Sequence, residues 1–373
     1  MNARGLPTVL TGAILALAMP AQALPATGDF AGLVDIGHNR KIYLECSGQG
    51  SPTVVLISGK GNRADTWSTA TPDAPGQTVF PIIAKFTRVC AYDRPGTVGG
   101  LASEPSRSDP VPLPVTAAAG AADLQALLTA ATAPGPYVLV GHSMGGLIAR
   151  LVASEHGDEV AGLVLEDALS EDLYSGLTAD QRAVFEKLNG APENYDNVRS
   201  FEEIRAAPPV RQMPVVVLTA GLPQLTAEVI ASGRLPPEVT PAFADALWAA
   251  QMQAQDDLAA LFPGGAHIIV AISTHYIHVD RPQVVIDAIR DVVDAVRAGK
   301  SSLRRWGGLR LWASSVIIGT LARNAMSRSA RTPYGNLAAD IPLHRKRGRI
   351  RPSTICPVGL AVLFCRKSLM TSS

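Results

Sequence analysis

The sequence predicts an α/β fold: a mostly parallel sheet with helices on both faces. Three observations predict it. Strand-like apolar runs alternate with helical patterns along most of the chain, the signature of repeated strand–helix–strand units. TVVLISG (53–59) and PVVVLTA (214–220) are continuously apolar, as strands covered on both faces are. In YVLVGHSMGGLIAR (137–150) such a strand passes into a helical pattern through a turn bounded by glycines, with a serine at the bend.

The elements follow in order. KIYLEC (41–46) alternates like a strand with one solvated face and ends at the turn cluster SGQGSP. After TVVLISG comes RVCAYD (88–93), closed by RPG, where Asp93 and Arg94 read as a structural turn with an ion pair. Residues 117–131 are rich in Ala and Leu and read as a helix, which PGP ends before the strand at 137–140. A helix over 145–156 and the strand AGLVLED (161–167) come next. Residues 168–212 contain no clear strand; Thr178 and Ser200 read as helix N-caps, with Ser200 and Glu203 as a capping box. This segment is too long for an ordinary connection and reads as a helical lid. Then follow PVVVLTA, a helix over 241–261, the strand HIIVAIS (267–273) and a helix over 282–298 with proline in its first turn.

With 47% hydrophobic and 17% charged residues in 373, the bulk of the chain can bury a large core and is not disordered. The net charge of +1 conceals a division. Residues 1–299 hold 19 Lys+Arg against 31 Asp+Glu, whereas 300–373 hold 14 against one. An acidic body of 24–299 therefore carries a basic tail, 300–373, expected to be disordered, whose Arg/Lys clusters could touch anionic lipid or nucleic acid. Arg4, the apolar stretch 6–19 and Ala21-Gln22-Ala23 match an export signal over 1–23, cleaved after Ala23, for a secreted or periplasmic protein. The apolar part is short for a membrane span.

GHSMG (141–145) fits G-x-S-x-G in the strand-to-helix context that the motif requires. Glycine at 141 and 145 removes side chains from a tight bend. The bend then pushes Ser143 beyond the strand end, at a helix N-terminus that favours negative charge. A serine nucleophile needs a base, and the base an orienting acid. The best base candidates, His275 and His278 in THYIHVDRP, follow the last strand and emerge at the same sheet edge as the serine. His275, His278 and Asp280 lack further matching ligands for a metal site. The N–H of Met144, next after the serine, is one candidate donor to an oxyanion.

These features, in this order, resemble the α/β-hydrolase family, its serine esterase and lipase-like branch, over about residues 30–298. The resemblance implies the α/β-hydrolase fold, with an eight-stranded, mostly parallel sheet and a helical lid insertion at about 168–212. It selects His275 as the base, seven residues before Pro282, over His278. It places the acid at Asp167, after the strand that follows the nucleophile helix, because VVVLTAGLPQLT holds no carboxylate. Glu166 is second choice, since alternation along the strand points it the other way. It puts the second oxyanion donor at the Lys60 N–H, in a loop where Ser58 stands for the relatives' usual histidine. The Lys60 side chain reads as a solvated lysine. Cys46 and Cys90 fall on strands adjacent in the family's sheet, so a cross-strand disulfide is expected.

Serine at the bend argues against the dehalogenase and epoxide-hydrolase branches, which use aspartate. The expectation is an exported serine hydrolase that cleaves a small carboxylic ester without cofactor or metal. An amidase or aminopeptidase of the same fold, and a non-catalytic binding member of it, stay open.

Overall fold

The computed structural model describes residues 29–70, 77–99, 104–188 and 193–303. The expected export signal at 1–23 and all of the basic tail beyond residue 303 lie outside them. Eight strands form the main sheet: β1 (Phe30–Asp35), β2 (Lys41–Ser47), β3 (Thr53–Ile57), β4 (Val89–Tyr92), β5 (Tyr137–His142), β6 (Val160–Glu166), β7 (Val215–Ala220) and β8 (Ala266–Val270). Their spatial order is β1-β2-β4-β3-β5-β6-β7-β8. β1 and β2 run antiparallel to their neighbours, and all remaining pairs are parallel. The mostly parallel eight-stranded sheet is as expected. β1 is an addition: it is a partly exposed edge strand interrupted by Gly32, so it carries neither an apolar run nor a clean alternation.

Strand period divides the core in two. Val55, Ile57, Leu139, Leu163, Leu165 and Val217 point to one face. There they meet α1 (Ala117–Ala130) and α2 (Gly145–Glu155) through Leu124, Leu127, Leu147 and Leu151. Val54, Leu56, Val138, Val140, Val164 and Leu218 point to the other face. Their partners are the short helix Val79–Ile83 and a long C-terminal helix, Pro282–Arg297, through Ile83, Val285, Ile289 and Val292. Each such side chain contributes about 1.5–3 kcal/mol by leaving water. β2, near the sheet edge, buries every second residue, whereas β3, β5 and β7 bury all of theirs. The alternating and continuous runs of the sequence thus record position in the sheet.

Cys46 and Cys90 lie directly opposite on β2 and β4 and are joined by a disulfide. Closing a loop of this length restricts the unfolded chain by about 4 kcal/mol in the chain-entropy description.

Between β6 and β8 the chain makes two excursions. The first carries α3 (Ala179–Leu188) and α4 (Asn197–Ala206); the second, after β7, carries α5 (Pro241–Ala260). Leu225, Val239, Phe243 and Ala244 of the second pack on Val184, Phe185 and Leu188 of the first. The cover over the sheet edge therefore has two halves, where the sequence suggests only 168–212. Thr178 caps α3, its hydroxyl accepting from Gln181 N–H while Gln181 accepts from Thr178 N–H. Ser200 is not a cap. Asp196 caps α4, and Ser200, inside the helix, accepts from Ala117 N–H. Asp196 sits one residue before the helix and satisfies a first-turn N–H, which leaves Ser200 free for a tertiary bond.

Candidate active site

The site begins at the bend between β5 and α2. Ser143 has φ +51°, a left-handed conformation that a non-glycine residue keeps only when its surroundings impose it. They do so on both sides. Its N–H donates to Glu166 O (3.0 Å), and its carbonyl accepts from Gly146 N–H and Leu169 N–H (both 2.9 Å). A side chain at Gly145 would collide with the Ile57 carbonyl, and a Cβ at Gly141 would lie 2.6 Å from Gly145 O. Both glycines are thus required by close backbone approach. Met144 precedes the first residue of α2, so its N–H has no acceptor within the helix.

Asp167 follows the last residue of β6 and is also left-handed, with φ +38°. Its N–H donates to Leu218 O (2.7 Å), and its Oδ1 accepts from Ala220 N–H (3.0 Å), both on β7. The other oxygen, Oδ2, lies 2.6 Å from His275 Nδ1. With Asp167 as the carboxylate acceptor, Nδ1 carries the proton and Nε2 presents its lone pair. Ser143, Asp167 and His275, far apart in sequence, line one cleft.

The neighbouring carboxylate does something else. Glu166 is fully buried, and its Oε1 accepts from both the backbone N–H and Nδ1 of His278, each at 2.7 Å. His278 Nε2 pairs with Thr66 Oγ1 at 3.1 Å, and its ring packs on Trp67. The two acids diverge where the strand ends at Glu166 and the left-handed Asp167 begins: Asp167 pairs with His275 and Glu166 with His278. Asp280, the third member of the dismissed metal trio, accepts from Thr274 N–H and Oγ1–H. Among the described residues, His142, Glu166 and His278 bring ligand atoms within 4.8 Å of one another. Both ring nitrogens of His278 are engaged by Glu166 and Thr66, whereas His142 Nδ1 and Glu166 Oε2 have no hydrogen-bond partner among the described residues.

His142, behind the serine, is buried, and its Nε2–H donates to His275 O at 3.0 Å. Burial, reinforced by His275 and His278, pushes its pKa well below the ordinary histidine value and holds the ring neutral.

The loop after β3 lies against the bend. A Cβ at Gly59 would lie 2.6 Å from His142 Nδ1 and 3.1 Å from Ser143 Cβ, so only glycine permits the approach. The loop is held from behind by Arg94 and Glu193, both buried and paired at 2.9 Å. Asp93 pairs instead with Arg107 (2.7 Å). The sequence marks the DRPG turn as structural but gives no sign of Glu193, whose part depends on a contact 99 residues away.

The cleft holds a cavity of about 130 Å³. Leu169, Leu173 and Phe185 of the first excursion and Leu225, Leu247 and Trp248 of the second form an apolar wall. Lys60, read from sequence as solvated, is half-buried and lines this cleft. Burial lowers its pKa to about 8, against the opposing pull of Glu193 and Glu186. No spacing rule reports which lysine a cover will enclose.

Comparison with known proteins agrees with the geometry. A family model described as "Alpha/beta hydrolase family" matches residues 54–288. An uncharacterized protein of Schizosaccharomyces pombe is 30% identical over 165 residues, covering 39% of this chain and 29% of that protein. The chain thus spans under a third of that relative's length. The uncharacterized protein YqjL of Bacillus subtilis is 26% identical over 250 residues, covering 66% of this chain and 85% of its own. Among solved structures, alpha/beta hydrolase domain-containing protein 10 from mouse superposes with a TM-score of 0.50 at 16% identity. That match covers 72% of this chain and 99% of the mouse chain, and at this identity it speaks to the fold alone. The family match spans well over half of the chain, and the chain belongs to the alpha/beta hydrolase family.

Proposed function

We propose that the protein is a serine hydrolase acting on carboxylic esters through an acyl-enzyme. The observation that carries this reading is the 2.6 Å contact of His275 Nδ1 with Asp167 in a cleft that also exposes Ser143 on a left-handed bend. In the proposed cycle His275 Nε2 removes the Ser143 proton as Oγ attacks the ester carbonyl. Asp167 holds the tautomer and stabilises the imidazolium. The carbonyl oxygen becomes an oxyanion, received by the N–H groups of Met144 and Lys60. The imidazolium returns its proton to the leaving alkoxide and the alcohol departs. Water, deprotonated by His275, then attacks the acyl-enzyme and releases the acid and free Ser143. The apolar wall supports an ester with a hydrophobic acyl or alcohol group.

Export belongs to the same proposal, with residues 24–299 as the mature catalytic unit. Its support is the Cys46–Cys90 disulfide, a bond that persists in oxidising compartments. The test of the catalytic reading is a panel of p-nitrophenyl esters of rising chain length, run beside aminoacyl anilides, on wild type and Ser143→Ala. Ester turnover by wild type alone is expected. Equal turnover by both proteins would remove Ser143 from the chemistry, and a preference for anilides would redirect the reading to an amidase.

A further inference from the structure

Glu193 belongs to the cover, yet its carboxylate reaches the loop that follows β3. Its Oε2 accepts from Gly61 N–H at 2.7 Å. Both of its oxygens meet Arg94, Oε1 with Nε at 2.9 Å and Oε2 with Nη2 at 3.1 Å. Arg94 donates in turn to Ser58 O through Nη1 (2.7 Å) and to Gly59 O through Nη2 (2.8 Å). One ion pair thus grips the backbone on either side of Lys60: two carbonyls before it and one N–H after it.

The geometry of a peptide unit makes that grip consequential. Gly59 C=O and Lys60 N–H belong to one planar trans peptide, in which they point in opposite directions. Fixing the carbonyl on Arg94 therefore aims the Lys60 N–H away from Arg94. The pair is wholly enclosed, with Glu193 at 0% and Arg94 at 3% exposure, so water offers the loop no substitute partners. Burial alone would lower the guanidinium pKa, but Glu193 opposite it holds the value above the ordinary one, and Arg94 stays charged.

Glu193 is in turn placed by the docking of its own segment. Val115 N–H donates to Asn194 O (3.0 Å), and Asp196 N–H donates to Val115 O (2.9 Å). Ser200 Oγ, one turn into α4, accepts from Ala117 N–H (2.9 Å). Asn197, between them, lines the cleft.

We propose that Arg94 and Glu193 are positioning residues: they set the Lys60 amide to receive the oxyanion and make that setting conditional on the seating of residues 193–200 of the cover. The proposal rests on the serine-hydrolase reading. Under it, the cover does more than wall the cleft, because its departure would remove the acceptor of Gly61 N–H and the counter-charge of Arg94. A merely structural ion pair would change stability and leave transition-state binding alone.

The test compares wild type with the near-isosteric Glu193→Gln and with the double variant R94M/E193M, which leaves no buried charge unpaired. Ester kcat and KM are measured with inhibition by a trifluoromethyl ketone, whose serine adduct carries an oxyanion, and melting curves verify folding. For Glu193→Gln the expectation is at least a tenfold lower kcat, KM within threefold, and ketone affinity weakened by the factor lost in kcat. For the double variant the loss approaches the about 10²-fold cost of one oxyanion donor. Folded Glu193→Gln protein with kcat and ketone affinity both within threefold of wild type would overturn the proposal, whether or not the double variant folds. A wild type that turns over no ester would instead overturn the serine-hydrolase reading, and this one with it.

Discussion

Two carboxylate–histidine pairs stand side by side, built from consecutive acids and from histidines three residues apart. Asp167 and His275 meet at 2.6 Å and line the cleft with Ser143. Glu166 and His278 meet at 2.7 Å with both side chains fully enclosed, and the far nitrogen of His278 faces Thr66. The hydrogen bonds are nearly equal, so hydrogen bonding alone does not distinguish a reacting pair from a bracing one. The difference is what each second nitrogen faces. The Asp167 pair lines the open cleft, while the Glu166 pair ties β6 to the segment bearing Trp67, which donates to Ser58 at 3.0 Å. A strand end followed at once by a left-handed residue produces both outcomes from adjacent acids.

The sharpest way to break the comparison is to neutralise each acid in turn. Asp167→Asn should lower ester kcat by about 10⁴-fold, the cost found when a triad aspartate loses its charge and the histidine its tautomer. Glu166→Gln should lower kcat less than tenfold. If the two losses were reversed, the buried pair would be the working one. On stability the order inverts. Glu166→Gln weakens two bonds to His278 and should lower the unfolding free energy by about 1–3 kcal/mol in urea titration. Asp167→Asn should cost less there, because Ala220 N–H keeps an amide oxygen as acceptor.

Reducing Cys46–Cys90, which joins β2 to β4, is the control away from both acid–histidine pairs. It should lower unfolding free energy by about 2–4 kcal/mol and leave kcat unchanged below the melting point. A fall in kcat at a temperature where the reduced protein stays folded would show that β2 and β4 help shape the site.

The smallest effect is on pH dependence. The pKa of His142 is depressed in the folded state, so between that value and the ordinary one the unfolded chain binds the additional proton. Its contribution to stability is therefore complete above about pH 6.5 and is lost as pH falls below it, at up to about 1.4 kcal/mol per pH unit. Melting temperatures from pH 7.5 to 5 should fall for wild type and fall less steeply for His142→Asn. Parallel slopes would assign the acid sensitivity to other groups.

Much of this was legible from sequence for physical reasons. Ser143 stands in a bend whose glycines are sterically required, so the local pattern reports it. The central strands bury both faces, and their continuous apolar runs say so. Asp167 is preferred over Glu166 in the sequence by strand alternation, but that rule ends at Glu166, and the left-handed turn at Asp167 is not legible there. The edge strand β1 was not legible, since partial exposure and Gly32 erase its pattern. The second half of the cover was hidden for a different reason: α5 announces itself as a helix, but its partner across the cleft is set by tertiary packing. Glu193 is the clearest case, one acid among many until the fold brings it against Arg94 and Gly61.

The central claim is that the Asp167–His275 pair, and not its buried neighbour, activates Ser143. It is tested most directly by the rate of covalent labelling with a fluorophosphonate, followed by peptide mapping, on wild type, Asp167→Asn and Glu166→Gln. The account predicts an adduct on Ser143 in wild type and Glu166→Gln at rates within tenfold of each other, and labelling slowed by orders of magnitude in Asp167→Asn. An adduct on another residue, or equal rates for wild type and Asp167→Asn, would contradict it.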